Sequence, residues 1–266
     1  MTSVHSPFDV RIMTKECQTL SETGYDVSLV VPHTRDESIG NVTVRHVLPV
    51  QCRTQRLTTT AFAMLRTALG QQADIYHVHD PELVPAGLIL RALGYRVVYD
   101  AHEDLAKQVL SKSWIPKPLR PAASVLARAV QISVAWWFDG IVAATPAIAS
   151  KFPAQKTTVV QNFPVLAEFM VSNGPTYQDR DAIIAYVGGI TSPRGVREMV
   201  RAMELLRPDL DAGLVLAGDF PSESLLAEVS SMDGWLRTEY VGWLGRSHVA
   251  SLLSRARIGL VVLHPL

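Results

Sequence analysis

The sequence holds 266 residues, with 25 Lys and Arg balanced by 25 Asp and Glu, 48% hydrophobic and 19% charged residues. This composition supports a packed core, excludes a disordered or collagen-like chain and a nucleic-acid-binding tail, and at this length fits two domains better than one. Only Cys17 and Cys52 are present, which leaves no disulfide framework or thiolate zinc site, so a reduced cytoplasmic protein is expected. No signal sequence is expected at the start, and the longest largely apolar run, Val130 to Phe138, is far too short to span a membrane.

In chain order, a helix over Phe8 to Glu22, with Ile12, Cys17 and Leu20 on one side, is stopped by Gly24 before a strand at Tyr25 to Val31. Met1 to Val4 is at most a stub of a strand. Ile75 to His79 reads as a strand, Leu83 to Leu93 as a helix stopped by Gly94, and Arg96 to Tyr99, Gly140 to Ala144 and Thr157 to Gln161 as further strands. The polar stretch 164–181, with Pro164, Asn173, Gly174 and Pro175, reads as a linker between a first domain, 1–163, and a second, 182–266. The second alternates again. Strands are expected at Ile183 to Val187, Gly213 to Ala217, Glu239 to Val241 and Ile258 to Leu263, and helices at Gly195 to Leu206, Ser222 to Ser231 and His248 to Arg255. Strands alternating with helices mean an α/β fold with parallel sheets. The closing apolar strand has no helix after it, so an incomplete second domain is expected.

Ligands of open parallel sheets bind beyond the carboxyl ends of the strands. The polar residues there are His5, the run His77 to Asp80, Asp100 to Glu103, Gly188 to Gly195, Gly218-Asp219, Gly242-Trp243 and His264. Gly188 and Gly189 let backbone N–H groups approach an anion where a helix begins, and Arg194 adds a forked cation suited to a diphosphate. The segment is neither a Walker loop nor a G-x-G-x-x-G fingerprint. His102 follows a strand and can titrate near neutrality. His77 and His79 share one strand face; no third ligand is evident at useful spacing, so packing or substrate contact is expected there and no metal. Asp80 and Asp100 could form a carboxylate pair, although nothing in the sequence places them face to face. Between Leu105 and Phe138 there is no acidic residue, while Lys107, Lys112, Lys117, Arg120 and Arg128 accompany Trp114, Trp136 and Trp137. Trp114 to Arg120 fits an anionic membrane surface; Trp136 and Trp137 are expected in the core.

The chain resembles the retaining GT-B glycosyltransferases of family 4. The resemblance is carried by His5-Ser-Pro-Phe-Asp9, Lys15-Glu-Cys17, Gly24-Tyr25, Ile75-Tyr-His-Val-His-Asp80, Val98-Tyr-Asp-Ala-His-Glu103, Val159-Val-Gln-Asn162, Tyr186-Val-Gly-Gly189 with Arg194-Gly195, Leu214-Val-Leu-Ala-Gly218 and Val241-Gly-Trp243. It implies two Rossmann-like domains and transfer of a sugar, with retention, from a nucleotide-diphosphate sugar to an acceptor hydroxyl in cell-surface polysaccharide or glycoconjugate synthesis. His102 would then contact the donor sugar at the reaction centre and Arg194 the diphosphate. Gly188, Gly189, Gly218, Gly242 and Trp243 would line the donor, and His5, His79, Asp80 and Glu103 the acceptor side. The implied partners are a nucleotide sugar, a saccharide or lipid-linked acceptor and an anionic membrane surface through 105–138, with no nucleic acid and no metal cofactor. The chain departs from the family pattern at Gly189, where an Arg is common, and at His5-Ser6-Pro7, in place of a glycine-rich loop. The family's Glu-x7-Glu motif would lie beyond Leu266, so a chain truncated at both ends and inactive alone is expected. A non-catalytic nucleotide- or membrane-binding module and a nucleotide-sugar epimerase of the same fold are the competing readings.

Overall fold

The computed structural model describes residues 1–50, 55–112, 115–169, 174–207 and 209–264. Cys52, Trp114 and Asn173, named above, lie outside the described residues. The chain divides into two compact units, Met1–Asn162 and Phe163–Leu266.

The first unit begins with a wide π-type helix, Val10–Cys17, which passes into α1 (Gln18–Glu22). Asp9 caps it by accepting from Ile12 N at 3.0 Å, which satisfies one of the unpaired N–H groups of a helix start. Ile12, Met13 and Cys17 are buried against β1 (Val27–Pro32), whereas Leu20 is 41% exposed, contrary to the expected helix face. The wider winding of the π segment rotates the helix face away from the 3.6-residue spacing assumed from sequence. Gly24, at φ 97°, then turns the chain into β1.

Three elements absent from the sequence reading follow: a short β2 (Glu37–Ile39) antiparallel to β3 (Val42–Val47), with β3 parallel to β1, and then α2 (Ala61–Leu69). A four-stranded parallel sheet holds β4 (Ile75–Val78), β5 (Arg96–Ala101), β6 (Gly140–Ala143) and β7 (Thr157–Val159) in that order. Met1 and Thr2 form no strand, in keeping with the stub expected, but they are held by hydrogen bonds. Thr2 N donates to Val30 O, Met1 N to His77 O, and His79 N to Met1 O, so these residues bridge β1 and β4.

Alternation along the strands sorts the side chains. Tyr76, Val78, Val97, Tyr99 and Ile141 enter the main core with Leu83, Leu90 and Phe138. His77 pairs with Val98 and Val78 with Tyr99, so His79 and Asp100 come next, on the face opposite that core. Helices α3 (Val84–Ala92), α4 (Leu105–Ser111), α5 (Arg120–Trp137) and α6 (Pro146–Ala149) complete the unit. Trp136 and Trp137 are 79% and 64% exposed, not in the core as expected. The face of α5 carrying Ala127 and Val134 is the buried one, which leaves both indoles outside.

In the second unit all four strands are parallel, in the order β10 (Thr238–Gly242), β9 (Gly213–Ala217), β8 (Asp181–Val187), β11 (Ala256–Gly259). The last strand starts earlier than the expected Ile258 to Leu263, because Ala256 pairs with Asp181; Leu260 N still donates to Ala185 O. The stretch read as a linker contains a turn of helix, α7 (Leu166–Phe169), and a 3-10 turn, Tyr177–Asp179. Helices α8 (Val196–Glu204), α9 (Glu223–Ser230) and α10 (Arg246–Arg255) follow. Tyr186, Val196, Met199, Val200, Leu214, Leu216 and Val229 form this unit's own core.

Candidate functional site

In the first unit, polar side chains gather where β4 and β5 end beside the π helix. Asp100 is fully buried and accepts from Arg11 twice, Nε to Oδ2 at 2.9 Å and Nη2 to Oδ1 at 2.6 Å, and from His79 Nδ1 at 3.2 Å. His102 Nδ1 stands 3.4 Å from Asp100 Oδ2, a charge contact at the outer limit of hydrogen bonding. Burial alone would push the Asp100 carboxyl up, but its contacts with His102, His79 and Arg11 outweigh burial and hold it well below the usual carboxylate range. The adjoining carboxylate in turn raises His102 against the opposing effect of burial. His102 keeps 23% of its side chain exposed, so its ring reaches solvent while Asp100 anchors it from behind.

His5 lies edge-on to His102, with ring centres 5.6 Å apart. Its Nδ1 is 3.1 Å from Asp9 Oδ2 and its Nε2 3.6 Å from Asp80 Oδ1, and the bond to Asp9 raises it above the ordinary histidine value. Asp80 is buried and accepts from Thr2 Oγ1 at 2.7 Å and Ser3 N at 2.5 Å. Its carboxylate therefore secures the loop carrying His5 and is not open to a ligand. Asp80 and Asp100 each have their own donors, and no pair forms between them. Glu103 is exposed and hydrogen-bonded to Gln108.

Arg11 and Glu16 were missed as site residues. Their guanidinium and carboxylate meet at 3.2 Å. In a helix with i to i+5 hydrogen bonds, residues five apart stack, so the spacing Arg11 to Glu16 becomes legible only once the π winding is known. Glu16 also corrects the expectation that His77 and His79 lack a third partner. Ligating atoms of Glu16, His77 and His79 all lie within 4.8 Å of one another. Burial, then the charge of Asp100, pushes the Glu16 carboxyl up to about 7. Burial pushes both imidazoles down, His77 further than His79, which Asp100 supports.

In the second unit, the loops after β8, β9 and β10 enclose a cavity of about 280 Å³ lined by Val187, Gly188, Gly189, Ala217, Gly218, Asp219, Trp243, Leu244 and Val249. Backbone bonds tie the loops together: Gly188 N to Ala217 O at 2.9 Å, Ile190 N to Asp219 O at 2.9 Å and Gly218 N to Gly242 O at 2.8 Å. Gly218, at φ 145°, packs so closely that a Cβ would overlap the Gly188 carbonyl, so glycine is required there. Arg194 sits in a 3-10 turn, Ser192–Arg194, that leads into α8 through Gly195 in the left-handed conformation. A Cβ on Gly188 would come within 2.9 Å of Arg194 Nη1, so the guanidinium reaches over the first glycine of the loop. Neighbouring Arg197 is occupied by Glu228 and Ser192. Among the described residues Arg194 makes no ion pair. Trp243 is 72% exposed at the cavity wall, Gly242 supplies the φ 69° turn before it, and His264 stands 3.2 Å from Glu198.

Two units with parallel sheets, each with polar loops at the strand ends, define a pair of Rossmann-like folds. The chain belongs to the glycosyl transferase 4-like domain family, which matches residues 11–162. No curated protein matches the chain. Among solved structures it is similar to WaaG, a glycosyltransferase involved in lipopolysaccharide biosynthesis (TM-score 0.72, 12% identity, 99% of this chain and 74% of that one). It is also similar to sucrose-phosphate synthase from Thermosynechococcus elongatus (0.68, 15%, 100% and 73%) and to Anabaena HepE in complex with UDP and glucose (0.67, 13%, 98% and 73%). The architecture is the GT-B fold of two Rossmann-like units.

Proposed function

We propose that the chain belongs to an enzyme that transfers a sugar, with retention, from a nucleotide-diphosphate sugar to a hydroxyl of a saccharide or lipid-linked acceptor in cell-surface polysaccharide or glycoconjugate synthesis. The observation that carries this reading is the glycine-lined cavity of the second unit with the Arg194 guanidinium, in no ion pair among the described residues, above Gly188. Close backbone approach and a forked cation together suit a diphosphate, and the similar HepE is described with UDP and glucose bound. In this reading Arg194 and loop N–H groups offset the charge of the departing diphosphate, so no metal is needed there. His102, with Nδ1 turned to Asp100, directs Nε2 toward a sugar hydroxyl and holds a proton there. His5 and Glu103 flank it on the acceptor side, with His79 and Asp80 as buried supports.

The membrane part of the reading rests on α5. Val125, Ile132 and Trp136, at i, i+7 and i+11, are 51% to 79% exposed along one stripe, with Leu126 and Arg128 exposed next to it and Lys117 exposed in the preceding 3-10 turn. This arrangement suits peripheral attachment to an anionic membrane.

The test compares UDP with uridine by calorimetry on the unsubstituted chain and on Arg194→Ala. The substitution is expected to weaken UDP about tenfold or more, as for loss of one charged hydrogen bond, and to leave uridine unchanged. Equal losses would move Arg194 out of the phosphate site. Diphosphate release that depends on an added acceptor identifies a transferase; a changed sugar without acceptor identifies an epimerase, and binding without turnover a non-catalytic module.

A further inference from the structure

We propose that Glu16, His77 and His79, all in the first unit, form a binding site for a divalent transition-metal ion of the zinc type that shares His79 with the supports of the transfer site. His79 Nδ1 is held by Asp100 at 3.2 Å, which fixes the ring and leaves Nε2 to face Glu16 Oε2 at 3.6 Å. That is too long for a hydrogen bond, but it is close to the roughly 3.3 Å between neighbouring ligands of a tetrahedral zinc ion. His77 stacks on His79, ring centres 4.6 Å apart and 28° from parallel, and ligating atoms of all three residues lie within 4.8 Å of one another. Glu16 Oε2 and His77 Nε2 are both buried without a hydrogen-bond partner among the described residues. A buried, unpartnered polar atom on each of two residues of one cluster calls for an occupant.

A carboxylate behind a histidine ligand is the arrangement by which proteins orient imidazoles toward metals. Two imidazoles and one carboxylate favour zinc, cobalt or nickel over magnesium or calcium, which take oxygen. Arg11 meets Glu16 through Oε1 at 3.2 Å while both oxygens of Asp100 balance its charge, which leaves Glu16 Oε2 on the histidine side for the ion. Three protein ligands leave at least one coordination position open. A bound ion would tie the π helix to the end of β4.

The experiment strips the full chain with a chelator and titrates Zn²⁺ by calorimetry and Co²⁺ by visible absorption. One equivalent should bind at about micromolar Kd or tighter. Glu16→Gln and His77→Ala should each weaken it at least about tenfold, while His46→Ala, which removes an exposed contact with Asp36, should change nothing. Absence of saturable binding, or binding that survives both site substitutions, overturns the proposal. Circular dichroism checks that each variant folds. If His77→Ala does not, X-ray absorption on the zinc-loaded unsubstituted chain decides: imidazole nitrogens at about 2.0–2.1 Å support the site, and a thiolate or all-oxygen shell overturns it.

Discussion

Asp100 stays ionised in a buried place because Arg11 and His79 donate to it and His102 adjoins it, and this carboxylate in turn sets how His102 is presented. His102 is partly exposed and borders the core without filling it. Replacing it by Ala should therefore lower the transfer rate of a complete enzyme by about tenfold or more while the fold persists with a small fall in the urea midpoint, because Arg11 and His79 still pair Asp100. An unchanged rate would return the residue to structural support. His5 and Asp9 make a second, pH-dependent pair. The bond raises His5 from its ordinary 6.5 and lowers Asp9 from 3.8. The histidine's contribution to stability is complete below 6.5 and lost as pH rises through its raised value; that of Asp9 is present above 3.8 and lost as pH falls through its lowered value. His5→Ala should consequently show its largest deficit near about pH 5.5, of about 1 kcal/mol or less because solvent screens a part-exposed pair, and a smaller one near about pH 9. A deficit constant across that range, measured by urea unfolding, would mean that the ring acts through packing alone.

Among the described helices of the first unit, α5 carries several exposed large apolar side chains. Its buried face carries Ala127 and Val134, and its other face presents a stripe from Val125 to Trp136. Arg120 is partly committed to the carbonyls of Ile115 and Leu110, whereas Lys117 and Arg128 are exposed cations that can meet anionic headgroups, each contributing about 1 kcal/mol. Sedimentation with anionic vesicles should show association in about 0.1 M salt that is lost in about 1 M salt, where the screening length falls from about 10 Å to about 3 Å. Leu126→Glu with Trp136→Ser should abolish it. Association with neutral vesicles at equal strength would count against the charge contribution.

Each of the two units has its own core and its own polar strand ends, so ligand stabilisation should be uneven across the molecule. At about 100 times its Kd, UDP should stabilise the native state by about 2.7 kcal/mol. Amide hydrogen exchange should slow most in Val187–Gly195 and Gly218–Leu244, where the loops line the cavity and lead into α8. Protection strongest in β4 and β5 would place the nucleotide in the first unit.

The alternation of strand and helix was legible because it is written locally: strands show as short apolar runs, and Gly24 and Gly94, at φ 97° and 93°, end helices by a rule that needs no partner. The glycine loop with Arg194 was legible for the same reason, since loop, turn and helix start are contiguous. The β2–β3 pair and α2 went unread although Val42 and Val44 are buried on one strand face; β2 has three residues and gains its strand character from its partner. The exposure of Trp136 and Trp137 was not legible either, because α5 has apolar residues on both faces and only the neighbouring elements choose which is covered. Sequence alone determined the fold class, the family resemblance and the order of the candidate loops, all of which depend on residues close together in the chain. Tertiary structure alone decided that Arg11 reaches Asp100 across 89 positions and that Glu16 meets His77 and His79. Those contacts depend on the π winding of one helix and the register of two strands, and neither quantity is encoded in any single stretch of residues.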